Sequence, residues 1–235
     1  MRTDDIRFRI AAARRILARA GCESDVAGHV SARDPAGEDA FWVSPFEFFD
    51  EALPERVIQV GLEHLELRRG SWEPSPAIRF HASIYRARPD VGSVIHTHSH
   101  HACVLASTGE PVGMYNTQSV LFFEEQTFYV DDGTKPPVDG DEIAKTLGDR
   151  SVVWLRNHGT IVAARSLEAA TILTLTLERA ARLHIEARAI GGTEIPEDEV
   201  RRGKVAYHQY YLPQMWEACF RRLRRSDPDL FADES

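Results

Sequence analysis

Val94-Ile95-His96-Thr97-His98-Ser99-His100-His101 is an apolar run that delivers four histidines within six residues. Read as a strand, it places alternate side chains on one face, so His96 and His98 aim both imidazoles at one point. That is how two ligands of a metal ion are arranged when a third arrives from another segment. A polar strand end with solvated histidines shares the same pattern, so the decision lies elsewhere in the chain.

Before that strand, Ile78 to Arg88 has Phe80, Ile84 and Tyr85 on one helical face, and Pro89-Asp90 stops it. After it, a helix is expected from about His100 to Ser107, then a loop from Gly109 to Gly113. Val112 to Val130 reads as short strands with a helical turn, Asp131 to Asp139 as a Gly/Pro-rich loop, and Asp141 to Leu147 as helix. Ser151 to Leu155 and Thr160 to Ala164 are two apolar strands. They are joined by Arg156-Asn157-His158-Gly159, a tight turn in which Asn and Gly tolerate positive φ. Leu167 to Ile190 is a long helix ended by Gly191-Gly192. Pro196 to Arg225 is a last helical segment, expected to break at Gly203 and Pro213.

Toward the N-terminus, Ile6, Ile10, Ala13, Ile16 and Leu17 recur at helical spacing, giving a first helix from about Asp4 to Ala20. Val26 to Arg33 and Phe41 to Ser44 are strand candidates. Val57 to Val60 and His64 to Leu67 read as a hairpin closed by Arg68-Arg69-Gly70.

The chain has 235 residues, 43% of them hydrophobic, which suits one α/β domain spanning 1–235. Its formal net charge of -8 and lack of a dense basic stripe argue against nucleic acid as a partner. The Arg221-Arg222-Leu223-Arg224-Arg225 cluster reads as a solvated helix end. No stretch approaches the roughly 18 apolar residues of a membrane span, and Met1 to Ile10 lacks the apolar core of a signal peptide. Three scattered cysteines, Cys22, Cys103 and Cys219, imply no disulfide framework. A soluble, cytoplasmic protein is expected.

Arg88-Pro89-Asp90-Val91, Val94-Ile95-His96-Thr97-His98 and Leu155-Arg156-Asn157-His158-Gly159 together resemble the class II aldolase/adducin family, from the first helix to about Ile190. The resemblance implies a central, mostly antiparallel sheet flanked by helices and a four-fold homotetramer. It also implies a divalent metal, manganese or zinc, held by His96, His98 and His158. Two histidines on a strand and one on a rigid turn would leave coordination positions open for a small substrate.

The departures from the family pattern carry the functional reading. Its sugar-phosphate aldolases place a catalytic carboxylate four residues before the helix histidine. The helix histidine here is His81, and the carboxylate position is Ala77. Glu73 lies one segment upstream and is not its equivalent. The family's phosphate-binding positions are also altered. An Asn becomes His29, a small-residue turn becomes Ser44-Pro45-Phe46-Glu47-Phe48, and a serine pair becomes Ser75-Pro76. A proline nitrogen cannot donate, and Glu47 beside a phosphate would repel it.

Retro-aldol cleavage needs a base and then an acid, whereas decarboxylation needs one acid only, after carbon dioxide has left. Losing the carboxylate while keeping the histidines therefore favours a metal-dependent decarboxylase. The Gly28 to Ser31 and Phe41 to Phe46 stretches look like the family's decarboxylase branch, whose substrates are hydroxylated aromatic or pyridine dicarboxylates such as 3-hydroxy-2-methylpyridine-4,5-dicarboxylate. In that role the metal would stabilise the carbanion- or enolate-like charge left on the ring. His29 and His101 are then candidate proton donors and Arg79 a candidate carboxylate partner. Ser44, Phe46, Ser75 and His81 are candidate substrate contacts, with Phe46, Phe48 and Phe49 as flat walls for a ring. Tyr207, Tyr210 and Tyr211 are candidates for a neighbouring subunit's site or for subunit packing. The alternatives are an aldolase for an unphosphorylated hydroxy-keto substrate and a non-catalytic, adducin-like structural domain.

Overall fold

A computed structural model describes residues 5–131 and 139–234. Most of the Gly/Pro-rich loop expected at Asp131 to Asp139 lies outside the described residues. Helix α1 (Ile6–Arg19) opens with the Asp5 side chain accepting from the Arg7 N–H, and buries Ile10, Ala13, Ile16 and Leu17. The strands are β1 (His29–Arg33), β2 (Ala40–Val43), β3 (Ile58–Gly61), β4 (Leu67–Arg69), β5 (Ser93–Thr97), β6 (Gln126–Tyr129), β7 (Val152–Leu155) and β8 (Gly159–Ala164). Among them run α2 (Arg79–Ala87), α3 (His100–Thr108) and α4 (Gly140–Leu147). After β8 come α5 (Leu167–Ala189), α6 (Glu197–Ala206) and α7 (Leu212–Ser226).

All eight strands form one sheet in the order β4-β3-β2-β1-β5-β8-β7-β6. Every neighbouring pair is antiparallel except β6 and β7. The mostly antiparallel α/β architecture implied by the sequence is the one observed. Alternation along the strands feeds two cores. Ile95, Val162 and Trp154 face a layer built on α1, α3, α5 and α7, while Val94, Ile161 and Val153 face α2 and α4.

Three local expectations differ from the structure. Residues 62–66 turn rather than extend, and the second strand of the hairpin is β4. The Leu65 N–H donates to the Gly61 carbonyl and the Gly61 N–H to the Glu66 carbonyl, which closes the chain before Leu67. His64 therefore sits in the turn. β1 starts at His29, not Val26, because Asp25 takes a left-handed φ of 49° and bends the approach. The last helical segment passes Gly203 without a break. Its irregularity is a π-helical turn at Tyr207–Tyr211, just before Pro213 in the first turn of α7. Proline has no N–H and its ring crowds the carbonyl four residues back, so a widened turn there relieves the clash.

Candidate metal centre

β5 lies between β1 and β8, with His96 opposite His29 on one side and Ile161 on the other. His98 stands one residue past the end of β5. His158 is presented by the β7–β8 turn, where Asn157 takes a φ of 56° and the His158 N–H donates to the Leu155 carbonyl at 3.0 Å. Gly159 is required by contact as well as by the turn. A Cβ there would lie 2.4 Å from the Thr97 carbonyl oxygen and 2.8 Å from His98 Cδ2. The missing side chain lets the turn press against the end of β5, so the third histidine reaches the other two.

One ligand nitrogen from each of His96, His98 and His158 lies within 4.8 Å of the others. His96 Nδ1 donates to the Thr160 carbonyl at 3.0 Å, which leaves Nε2 with its lone pair. That nitrogen is 2.9 Å from His98 Nε2. Burial disfavours the charged imidazolium throughout the group. It lowers His98 to about 4, with His158 adding to the effect, and holds His96 well below the usual histidine range. Three neutral imidazoles on a preset spacing, one with its tautomer fixed by a backbone carbonyl, fit a first-row divalent cation. They leave positions open beyond the three nitrogens. Near the cluster, the Ser24 hydroxyl accepts from the His98 N–H at 2.5 Å, tying the bend before β1 to this ligand.

Behind the triad is a buried floor of rings. His29 stacks on His96 with centroids 5.6 Å apart, and His81 meets His29 edge-on at 5.6 Å. Phe80 lies 5.3 Å from His96. His81 Nδ1 shares a 2.7 Å hydrogen bond with Ser31 Oγ, which lies 2.7 Å from Tyr85 Oη. Neither ring nitrogen of His29, nor Nε2 of His81, has a hydrogen-bond partner among the described residues. Burial first, then the neighbouring imidazoles, holds both rings well below the usual histidine range. They are neutral near pH 7 and carry no proton to give as imidazolium.

The remaining sequence-derived residues are placed as follows. His101 Nδ1 is 2.6 Å from Glu178 Oε1, and its side chain is about one-third exposed (32%). Arg79 is not brought to the triad. It is exposed and lines a separate surface cavity with Glu63, Arg86, Asp139 and Asp141, because the first turn of α2 turns it outward while Phe80 and His81 face in. Ser44 Oγ accepts from the Val30 N–H and Ser75 Oγ from the Ala77 N–H, so both hydroxyls serve the backbone. Phe46 and Phe48 are exposed, whereas Phe49 is fully buried and its ring occupies the space beside Gly28.

Glu47 does not face an incoming anion. It is buried, accepts from Arg14 Nη1 at 2.5 Å and from Arg56 Nη1 at 2.9 Å, and its own carbonyl accepts from Arg14 Nη2 at 2.6 Å. The repulsion expected from its charge is therefore cancelled by its partners. Arg14 and Glu178 were missed by sequence reasoning. The available signal was a charge inside an apolar stripe: Ile10-Ala13-Arg14-Leu17 on α1 and Thr174-Leu175-Glu178-Ala181 on α5.

The model of the Class II Aldolase and Adducin N-terminal domain matches residues 8–185. A 4-hydroxy-3-prenylphenylpyruvate oxygenase/4-hydroxy-3-prenylbenzoate synthase of Streptomyces roseochromogenus subsp. oscitans is 32% identical over 203 residues, covering 84% of this chain and 73% of that protein. The decarboxylase NovR of Streptomyces niveus is 31% identical, covering 84% and 75%. The solved L-fuculose 1-phosphate aldolase from Glaciozyma antarctica PI12 shares the fold at a TM-score of 0.84 and 24% identity, over 94% of this chain and 90% of that one.

Proposed function

The chain belongs to the class II aldolase and adducin family, and on that premise we propose that it is a divalent-metal-dependent decarboxylase of a hydroxylated aromatic or pyridine (di)carboxylate. The observation that carries this reading is the neutral His96–His98–His158 cluster, taken with the partly buried Ala77 at the position where the resemblance would put the family's acid/base carboxylate. A manganese or zinc ion held by the three imidazoles would supply Lewis-acid stabilisation of negative charge on an oxygen beside the reacting carbon, worth several kcal/mol.

The chain's own residues have limited work to do in such a reaction. The bond between ring carbon and carboxyl breaks, carbon dioxide leaves, and the electron pair stays on the ring carbon. One proton must then be delivered. His29 is buried and neutral, which makes it a poor source. His101 is the better relay: its Nδ1–H is oriented by Glu178, so Nε2 keeps a lone pair, and its partial exposure lets that nitrogen take a proton from solvent and pass it to the ring carbon. Phe46 and Phe48 supply exposed aromatic faces on which a flat ring could rest. The name of the relative NovR, a decarboxylase, points the same way.

The aldolase reading has support among relatives: a 5-deoxy-D-ribulose 1-phosphate aldolase of Bacillus thuringiensis serovar kurstaki is 30% identical, covering 67% of this chain and 73% of that protein.

Ala77→Glu separates the two. A new carboxylate a few ångströms from a substrate carboxylate costs about 1–4 kcal/mol at effective dielectrics of 80 to 20. Carbon dioxide release from a hydroxy-aromatic dicarboxylate should therefore fall. In an aldolase, the same substitution should raise turnover of a hydroxy-ketone, since a positioned acid/base contributes roughly 10²–10⁴-fold. Steady-state kinetics on both substrates measure this, and a clear gain in retro-aldol turnover would overturn the decarboxylase.

The assembly is proposed to be a homotetramer. Ile190, Val205 and Tyr210 are 86%, 60% and 71% exposed along the end of α5, α6 and the π-helical turn, apolar side chains that packing between copies would cover. Sedimentation should give four copies, and a fully active monomer would refute it. Among the described residues no helix is long and apolar enough to cross a membrane.

A further inference from the structure

We propose that Glu178 and Cys103 are positioning residues for His158, acting through helix α3 as a brace between α5 and the β7–β8 turn. The inference rests on reading the three histidines as a metal centre.

Glu178 is a buried carboxylate in the middle of α5. Its Oε1 accepts from the His101 N–H at 3.0 Å and meets His101 Nδ1 at 2.6 Å, while its Oε2 accepts from the Ala102 N–H at 2.9 Å. The first N–H groups of a helix have no partner within it, and the N-terminus carries partial positive charge. One carboxylate, fixed by a different helix, therefore satisfies two such donors and holds the start of α3. That start lies two residues beyond His98, so its place also sets where this ligand's backbone leaves β5.

One turn further on, α3 reaches the third ligand. Cys103 donates its thiol hydrogen to the His158 carbonyl, with Sγ 3.0 Å from the oxygen. The main chain of His158 is thus held from three directions. Leu155 accepts its N–H, the Thr97 carbonyl abuts Gly159, and the thiol of Cys103 takes its carbonyl. The first two contacts fix the turn relative to the sheet. The thiol relates it to α3, and through Glu178 to the body of α5. The brace spans the outer ends of both half-buried ligands, His98 and His158, while His96 is held by the sheet itself.

Contacts of this kind around metal ligands typically carry 10–100-fold in affinity, so the expected changes are large enough to measure. The full-length protein would be titrated with zinc against a chromophoric chelator, and with cobalt(II), whose visible spectrum reports ligand geometry. Cys103→Ala and Glu178→Gln should each weaken zinc binding by about 10–100-fold and alter the cobalt spectrum. Cys103→Ser keeps a donor hydrogen and should restore the parent spectrum and most of the affinity. Lower thermal stability with unchanged affinity and spectrum in both variants would overturn the brace. Failure of the parent protein to bind zinc or cobalt would remove the metal-centre reading on which it stands. Cys103→Ser behaving like Cys103→Ala would overturn the part assigned to the thiol hydrogen.

Discussion

His158→Ala should strip the protein of its metal and its activity while leaving the sheet folded. The side chain is half-buried at the tip of a turn whose backbone is held by Leu155 and Gly159, so alanine leaves no core cavity. Apparent binding energies of about 10–16 kcal/mol for four-ligand structural zinc correspond to roughly 3–4 kcal/mol per ligand, or about 10²–10³-fold in affinity for one histidine lost. The heat-denaturation midpoint gives a second readout. In the parent, metal at about 100 times its Kd should add roughly 2.7 kcal/mol of stability. The variant should show no such response at the same concentration. Stoichiometric metal persisting in His158→Ala would show that the third ligand is another residue.

Arg14→Ala should be the most destabilising single change outside that centre. The Arg14 guanidinium is fully buried, and burial lowers it to about 10 despite the opposing charge of Glu47, so it remains protonated at neutral pH. It lies over the Phe49 ring, with Cζ 4.8 Å from the ring centroid, and that ring in turn fills the space beside Gly28. Removing one member of a buried ion pair costs about 3–5 kcal/mol, because the other is left buried and undercompensated. At roughly 2–4 °C per kcal/mol for a chain of this size, the midpoint should fall by about 6–20 °C. Replacing both partners with apolar residues, Arg14→Met with Glu47→Met, should recover most of the loss. A single variant melting within about 2 °C of the parent would mean the pair is compensated in some other way.

Much of the fold was legible because periodicity is local. The spacing of Ile6, Ile10, Ala13 and Leu17 and the apolar runs around β5, β7 and β8 are decided by near neighbours. The triad was legible for a similar reason: His96 and His98 lie two apart, and Asn157-His158-Gly159 is a turn by its own chemistry. What failed depended on partners distant in the chain. Arg14 and Glu47 are separated by 33 positions, and His101 and Glu178 by 77, so nothing local announces that a charge will be buried and paired. Likewise, the removal of His29 and His81 from solvent comes from packing α2 over β1, and Arg79 points outward because its two successors point in. The π-helical turn was misread as a break because proline's effect falls on the preceding turn, not on itself.

The central position of β5 also sets an order of events as the chain folds. Its contacts with β1 and β8 close spans of 63 and 64 positions, from Ser31 to Val94 and from His96 to Thr160. Pairings over such distances incur loop-closure entropy before they return any contact energy, and they dominate the time a sheet takes to form. The imidazoles converge only once both closures are complete. A cation would therefore arrive after the slow step, leaving the folding rate alone and slowing the reopening of the finished sheet. It would act as a late clasp, extending the lifetime of the native state without hastening its birth.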